Sequence, residues 1–361
     1  MKISNFSKIT TNILGSRLTG FVRDVLLANF LGANVLSDAF LFAYRLPNLF
    51  RRIFAEGAVN SVFIPMYVNL EKENKNLSND FIWFVFIIFF IFTGLLTILV
   101  IVFNAQVISI LAPGFVDNES QFNLASILLP ITFPFLIFVT LSAILSSVLN
   151  TKGSFFLPSF LSVILNIFMI VSLLIFKSDS YIPLAWSMIM AGLIQLFLLF
   201  INLSFLKITW KLSLNSFSKI LPKLVIFFKR FFYSVIGSGI VQLNIFISMI
   251  FASLVGQGSI SHIYYADRII DLPFALIAVA MSITLLPYLS KNILDENKNA
   301  EAFNQTIIFC YIFALPSSFA IFFLGSDIVQ ILFGRGEFLD SDVLITSKIL
   351  IIYSLSLPAY M

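Results

Sequence analysis

The sequence predicts an all-α polytopic membrane protein, and its composition and long charge-free runs support that prediction. Of 361 residues, 59% are hydrophobic and only 11% are charged, whereas an average soluble domain has about 25% charged residues. No Asp, Glu, Lys or Arg occurs from 81 to 116 or from 231 to 266. Because about 20 apolar residues cross the hydrocarbon core of a bilayer, these runs are long enough to span it.

The apolar runs favour helices over the strands of a membrane β-barrel. A run such as 81–102 is apolar on every side, whereas barrel strands alternate apolar with polar residues. A helix also satisfies its own backbone hydrogen bonds in lipid. We predict ten spans, at 8–31, 36–68, 81–111, 122–149, 156–176, 181–206, 224–255, 263–290, 302–324 and 341–361.

Loop charges predict the orientation and the domain organisation. With a cytoplasmic N-terminus, the inner segments hold thirteen Lys and Arg residues, and the outer loops hold only Lys177 and Arg335. The positive-inside rule therefore predicts that the N-terminus is cytoplasmic. We interpret 207–230 as a basic cytoplasmic linker between an N-terminal lobe, 1–206, and a C-terminal lobe, 231–361. Ordinary positive-inside charge is the alternative interpretation of this linker.

Charged residues cluster in the predicted spans one, two and eight, although each intramembrane charge costs a few kcal/mol. The members are Arg17, Arg23, Asp24, Asp38, Arg45, Arg51, Arg52, Glu56, Asp267, Arg268 and Asp271. At about 100° per residue, four charges of span two fall within about 40° on one helix face. They are Asp38, Arg45, Arg52 and Glu56. Arg268 and Asp271 are i,i+3 neighbours on a helix.

These stripes predict an internal cavity, and Pro47 predicts a kink or break in span two. Arginine's planar fork matches phosphate oxygens, so a phosphate or diphosphate headgroup is the expected ligand. The alternative is that all these charges form internal salt bridges that hold the helices together.

Signatures of enzymes are missing from the sequence, which has no HExxH, GxSxG, P-loop or GxGxxG motif in the required context. The single histidine, His262, rules out a His-cluster metal site, and the single cysteine, Cys310, rules out an intramolecular disulfide. Asp267 and Asp271 could hold a metal with a phosphate, as in some membrane transferases, but no aspartate-rich motif extends them. We therefore expect a transporter without catalytic residues or a metal.

Several motifs resemble the MurJ/MviN family of bacterial lipid II flippases, in the multidrug/oligosaccharidyl-lipid/polysaccharide exporter superfamily. The most specific block comprises SRLTGFVRD at 16–24, SDAF at 37–40 and RLPNLFRRIFAEGA at 45–58. Further matches are LAPGF at 111–115, LNTKGS at 149–154, YYADR at 264–268 and LLPYLS at 285–290. The resemblance runs along the whole chain.

The resemblance implies a two-lobed helical bundle around a central cationic cavity. It implies that Arg17, Arg23 and Arg268 bind the substrate diphosphate. The cavity and its gates would be formed by Ser16, Asp24, Asp38, Arg45, Asn48, Arg51, Arg52 and Glu56, and Asp267 and Asp271 join this group as charges of span eight. The resemblance also implies a cytoplasmic (inner) membrane protein that moves lipid II, an undecaprenyl-diphosphate-linked precursor, for cell wall biogenesis and cell shape.

The expected partners are lipid II and membrane lipids, with no nucleic acid. We expect no cofactor other than a coupling monovalent ion, whose site the sequence does not assign. Family members have fourteen spans, so the chain would carry about ten of them and be truncated at its C-terminus. The alternatives are an exporter of another polyprenyl-diphosphate-linked glycan, an exporter of a cationic drug, and a truncated paralogue that does not transport.

Overall fold

The computed structural model describes residues 3–177, 181–206, 208, 216–274 and 296–360, with only the backbone at 3–11, 13, 55–58, 241 and 296–298. Every regular element in these ranges is helical, which confirms the all-α prediction. The α-helices are α1 (Ile3–Leu31), α2 (Val35–Arg51), α3 (Asn60–Glu73), α4 (Lys75–Val102), α5 (Asn104–Leu111), α6 (Glu119–Thr132), α7 (Phe135–Thr151), α8 (Phe156–Phe176), α9 (Tyr181–Phe205), α10 (Phe217–Val255), α11 (259–274), α12 (Glu296–Phe333) and α13 (Asp340–Tyr360). The remaining helical elements are a π-helix (Arg52–Val59) and a 3₁₀ turn (Pro113–Phe115).

Six helical stretches of the described residues are long and apolar enough to cross a membrane. They are Lys75–Val102, Glu119–Thr151, Phe156–Phe176, Tyr181–Phe205, Asn299–Phe333 and Asp340–Tyr360, and a seventh is bent by 45° between Phe217–Ile240 and Gln242–Val255. The predicted count of ten is therefore not confirmed. Two of the remaining predicted spans, 8–31 and 36–68, carry most of the charged residues that fall within the ten predicted spans. Most of 263–290 lies outside the described residues.

The chain divides into two compact units, and the division falls within α1. The first unit comprises Met1–Arg23 and Asp38–Gly256, and the second comprises Asp24–Ser37 and Gln257–Met361. The predicted lobes, 1–206 and 231–361, and the linker between them stay predictions. Residues 207 and 209–215 of that linker lie outside the described residues.

Aromatic side chains from α3, α4 and α10 form much of the core of the first unit. Phe63 stacks on Phe81 at 5.7 Å between ring centroids, and Phe227 meets Phe81 edge-on at 5.8 Å. Phe231 meets Phe89 edge-on at 5.1 Å. Because such pairs contribute about 0.5–1.5 kcal/mol each beyond area burial, part of the high Phe content serves helix packing.

Pro47 lies inside α2 and does not end it. Proline has no N–H, so it leaves the carbonyl of Ala43 without its helical donor. The hydroxyl of Thr132, on α6, donates to that carbonyl at 2.8 Å. The departure from α-helical geometry comes later than Pro47, in the π-helix that begins at Arg52, and π-helical turns are frequent at functional sites.

The second unit is tied together by close backbone contacts between the α1–α2 turn and the α12–α13 loop. Gly32 and Gly336 both have positive φ, at +65° and +61°. A Cβ on Gly32 would overlap the carbonyl of Glu337, and one on Gly336 would overlap the carbonyl of Asn29. The amide of Glu337 donates to the carbonyl of Asn29 at 2.9 Å, so this approach requires glycine at both positions.

Candidate functional site

Arg23, on α1, is buried inside the first unit with only 5% of its surface exposed. Its Nη1 donates to the hydroxyl of Tyr44 at 2.9 Å and to Oδ1 of Asn166 at 2.8 Å. The guanidinium carbon also lies 5.3 Å from the centre of the Tyr44 ring. The protein thus holds this buried cation with hydrogen-bond acceptors and a ring face, which is what a desolvated arginine requires.

Asn166, on α8, links Arg23 to the backbone of α1. Its Nδ2 donates to the carbonyl of Ser16 and to the hydroxyl of Thr19, both at 3.1 Å. Neither Asn166 nor Tyr44 carries a charge, so the pattern of charges in the sequence does not reveal them. An asparagine inside the apolar run 155–176 is nevertheless a signal, since polar side chains at membrane depth usually bond across helices.

Arg17 lies two turns before Arg23 on the same helix and has a different environment. Its side chain is exposed, and no ion-pair or hydrogen-bond partner occurs for it among the described residues. An exposed arginine is accessible to an anionic ligand.

Asp38, on α2, is fully buried in the first unit and accepts a hydrogen bond from Nε2 of Gln121 at 3.0 Å. Gln121, on α6, is uncharged and is likewise not revealed by the pattern of charges in the sequence. A carboxylate that is held by an amide on a neighbouring helix fixes the start of α2 against α6.

The charged residues predicted to form a stripe along span two have different environments. Asn48 accepts a hydrogen bond from Nε of Arg51 at 3.2 Å and donates to the carbonyl of Tyr44 at 2.8 Å. Arg45 is half-buried, whereas Arg52 is exposed and begins the π-helix. The single charged face of span two stays a prediction, because the π-helix changes the angular spacing of the residues that follow Arg51. The side chain of Glu56 lies outside the described residues.

Arg268, on α11, forms the centre of a charged cluster in the second unit. Its Nε lies 3.3 Å from Oδ2 of Asp24, and its Nη1 lies 3.7 Å from Oδ2 of Asp271, which confirms the predicted i,i+3 pair. Asp24 is 2% exposed and accepts a hydrogen bond of 2.7 Å from the hydroxyl of Tyr264. Asp267 is half-buried on the same helix.

The contacts described for the predicted site residues lie within one unit or the other. Arg17 and Arg23 belong to the first unit, and Arg268 belongs to the second. Their convergence on one diphosphate stays a prediction, as do the roles of the cavity and gating residues. Within the described residues, no group of three or more His, Cys, Asp or Glu side chains could hold a metal ion. The motif at 285–290 lies outside the described residues.

Comparison with known proteins gives matches along nearly the whole chain. The family model described as lipid II flippase MurJ matches residues 27–361. A probable lipid II flippase MurJ of Buchnera aphidicola subsp. Schizaphis graminum is 39% identical over 355 residues, which cover 96% of this chain and 68% of the relative. The corresponding protein of Aquifex aeolicus is 36% identical, with the same coverage of 96% and 68%.

Solved structures give the same result for the fold. A lipid II flippase MurJ in an inward closed conformation superposes with a TM-score of 0.85 at 30% identity, covering 98% of this chain and 73% of that one. An inward-facing multidrug resistance MATE family transporter of the MOP superfamily superposes with a TM-score of 0.67 at 17% identity, covering 95% and 77%. The second likeness concerns the fold alone. From the family match and the identity to its members, this chain belongs to the MurJ family.

Proposed function

We propose that this chain is a flippase that translocates lipid II across the bacterial cytoplasmic membrane by alternating access, in the service of peptidoglycan and cell wall biosynthesis. Membership of the MurJ family supports the reaction class. The observation that carries the proposal is the buried guanidinium of Arg23, 5% exposed and oriented by Tyr44 and Asn166. A cation kept at membrane depth at such cost usually serves a substrate or ion pathway.

The ligand chemistry follows from the arginines. Arg17, Arg23 and Arg268 would bind the diphosphate, because a guanidinium presents paired N–H donors that match phosphate oxygens. The remaining polar residues would shape and gate the pathway: Ser16, Asp24, Asp38, Arg45, Asn48, Arg51, Arg52, Glu56, Asp267 and Asp271. We assign no catalytic role to any of them.

Binding of a diphosphate would be an exchange of partners at Arg23 and Arg268. Arg23 would replace its hydrogen bond to the Tyr44 hydroxyl or the Asn166 amide oxygen with one to a phosphate oxygen. Arg268 would likewise replace its contact with Asp24 or Asp271 with one to a phosphate oxygen. A hydrogen bond to a charged group contributes about 1.5–3 kcal/mol, so the incoming diphosphate must supply a comparable interaction. This competition supports a cycle in which headgroup capture changes the contacts that hold each unit.

The cellular context rests on the loop charges. Thirteen basic residues on the inner side against two on the outer side support an N-terminus in the cytoplasm. Lipid II and the surrounding membrane lipids would be the partners. No cofactor is needed for headgroup capture by arginines, and coupling to a monovalent ion stays a prediction.

The test is outward translocation of lipid II by the chain reconstituted in lipid vesicles. Arg268→Ala should reduce translocation at least about tenfold, since charge-assisted bonds to the diphosphate are lost. Arg335→Ala is the matched control, because the exposed Arg335 follows α12 and, among the described residues, its side chain donates to the carbonyls of Ile331 and Leu332 at the end of that helix. No translocation by the unmodified chain would overturn the proposal.

The cargo is tested separately in cells. Expression of the chain should rescue bacteria that are depleted of their own lipid II flippase. Failure to rescue, combined with translocation of a different polyprenyl-diphosphate-linked glycan in vesicles, would support the alternative cargo and contradict lipid II.

A further inference from the structure

Tyr264 contacts both members of the ion pair between the buried Asp24 and the partly exposed Arg268. It lies on α11, one helical turn before Arg268, and is fully buried. Its hydroxyl donates to Oδ1 of Asp24 at 2.7 Å, and its ring centre lies 4.7 Å from the guanidinium carbon of Arg268. The i,i+4 spacing explains how one side chain reaches the next along the helix. A single tyrosine therefore contacts the Asp24 carboxylate through its hydroxyl and the Arg268 guanidinium through its ring.

The two oxygens of Asp24 have different partners. Oδ1 accepts the Tyr264 hydroxyl, and Oδ2 faces Nε of Arg268 at 3.3 Å. The second distance exceeds the roughly 2.7–2.9 Å of a strong charge-assisted hydrogen bond. Arg268 is also about a third exposed, at 29% of its side chain, whereas Asp24 is 2% exposed. The arginine can therefore meet a ligand while the acid stays buried.

A buried carboxylate needs compensation for the water that it has lost. While Arg268 faces Asp24, both the guanidinium and the Tyr264 hydroxyl supply that compensation. When Arg268 turns to an anionic ligand, the hydroxyl remains. Without the hydroxyl, the carboxylate would depend more heavily on Arg268 and would compete more strongly against the ligand.

We propose that Tyr264 is a positioning residue for substrate capture. Its hydroxyl weakens the electrostatic attraction of Asp24 for Arg268, so that the guanidinium can bind the diphosphate. This inference rests on the proposed function, because it takes the diphosphate as the ligand of Arg268. The ring of Tyr264 also binds the guanidinium through a cation–π interaction, which does not depend on Asp24. The hydroxyl and the ring thus have separable roles.

Tyr264→Phe separates them, because it keeps the ring and removes the hydroxyl. In vesicles, the lipid II concentration for half-maximal translocation should rise about tenfold, the effect of losing one hydrogen bond to a charged group. The maximal rate should change by less than about twofold, since the guanidinium itself is retained. A fall in the maximal rate with an unchanged half-maximal concentration would overturn the proposal.

Tyr265→Phe is the matched control. Tyr265 is the next residue, is equally buried, and donates its hydroxyl to the backbone carbonyl of Gly32 at 3.2 Å rather than to an acid. Loss of this hydroxyl should lower thermal stability slightly and leave the half-maximal concentration unchanged. Equal shifts of that concentration in both variants would mean that Tyr264 acts only through packing, which contradicts the proposal.

A double-mutant cycle with Asp24→Asn tests whether Tyr264 acts through Asp24. In Asp24→Asn the carboxylate charge that competes for Arg268 is gone. Tyr264→Phe should then cause no further rise in the half-maximal concentration, so the two effects should be strongly non-additive. Independent effects of the two substitutions would overturn the proposed route.

Binding of inorganic pyrophosphate to the purified chain separates this inference from the proposed function. Tyr264→Phe should weaken pyrophosphate binding about tenfold, whether or not the unmodified chain moves lipid II. If the chain binds pyrophosphate but moves no lipid, the proposed function fails and the role of Tyr264 is still measured. Equal pyrophosphate affinity of the chain and of Tyr264→Phe would refute the role of Tyr264 alone.

Discussion

The side-chain oxygen of Asn166 accepts a 2.8 Å hydrogen bond from Nη1 of Arg23. The two residues are separated by 143 positions in the sequence, and the same amide donates back to the α1 backbone at Ser16. One uncharged side chain on α8 therefore sets both the position of α1 and the direction of its buried cation. This contact leads to the first of four predictions.

Asn166→Leu should destabilise the chain by about 1.5–3 kcal/mol, because a charged donor loses its acceptor in a buried site. Translocation should fall as well, since Arg23 loses its orientation. Asn12→Leu is the control: Asn12 also joins α1 to α8, through the Phe156 carbonyl and the Ser159 hydroxyl, but holds no arginine. Thermal unfolding in detergent and translocation in vesicles measure both variants. An equal loss of translocation in both would refute the specific role of Asn166.

Thr132→Val should destabilise the chain by about 0.5–2 kcal/mol, because the Ala43 carbonyl that Pro47 leaves without a donor then loses its replacement. Thr140→Val is the control, since the Thr140 hydroxyl is buried with no hydrogen-bond partner among the described residues. That control should be neutral or slightly stabilising. Pro47→Ala restores an amide donor, so it should reduce the cost of Thr132→Val in a double-mutant cycle.

Gly32→Ala should destabilise the second unit by about 1–3 kcal/mol, because a positive φ is strained for alanine, and its Cβ would also overlap the Glu337 carbonyl. Gly15→Ala, inside α1, meets nothing within 4 Å. Alanine there should be stabilising by up to about 1 kcal/mol, the helix-propensity difference between the two residues. Unfolding temperatures of the two variants should therefore shift in opposite directions, and a common direction would contradict the assigned backbone roles.

The sequence predicted those features that depend on local spacing or on composition. Helices follow from apolar runs, and the Arg268–Asp271 pair follows from i,i+3 spacing. Opposite charges at membrane depth also predict that Asp24 finds a basic partner. Nothing local identifies that partner as Arg268, because the two residues are 244 positions apart.

Other features leave no local signal in the sequence. The π-helix at Arg52–Val59 has no distinctive sequence pattern, so the predicted stripe of span two assumes α-helical spacing through it. Asn166 and Gln121 are uncharged, and their roles depend on which helices pack together. The polar residues inside apolar runs were the usable clue, since such residues cross-link membrane helices.

The last prediction compares the same substitution at two arginines of α1. Arg23 bonds Tyr44 and Asn166 and lies over an aromatic ring, whereas Arg17 is exposed. Lysine keeps the charge but lacks the planar fork that serves two acceptors at once. Arg23→Lys should therefore lower both thermal stability and translocation, by about tenfold in the translocation rate if one charged hydrogen bond is lost.

Arg17→Lys should keep thermal stability and part of the translocation activity, because the charge alone still attracts a diphosphate. Arg17→Gln removes that charge at similar size and should abolish most of the activity without loss of stability. If Arg17→Gln translocates lipid II as fast as the unmodified chain, Arg17 has no part in headgroup capture. The stability measurements keep this outcome distinct from misfolding, since the exposed Arg17 has no hydrogen-bond or ion-pair partner among the described residues that either substitution would remove.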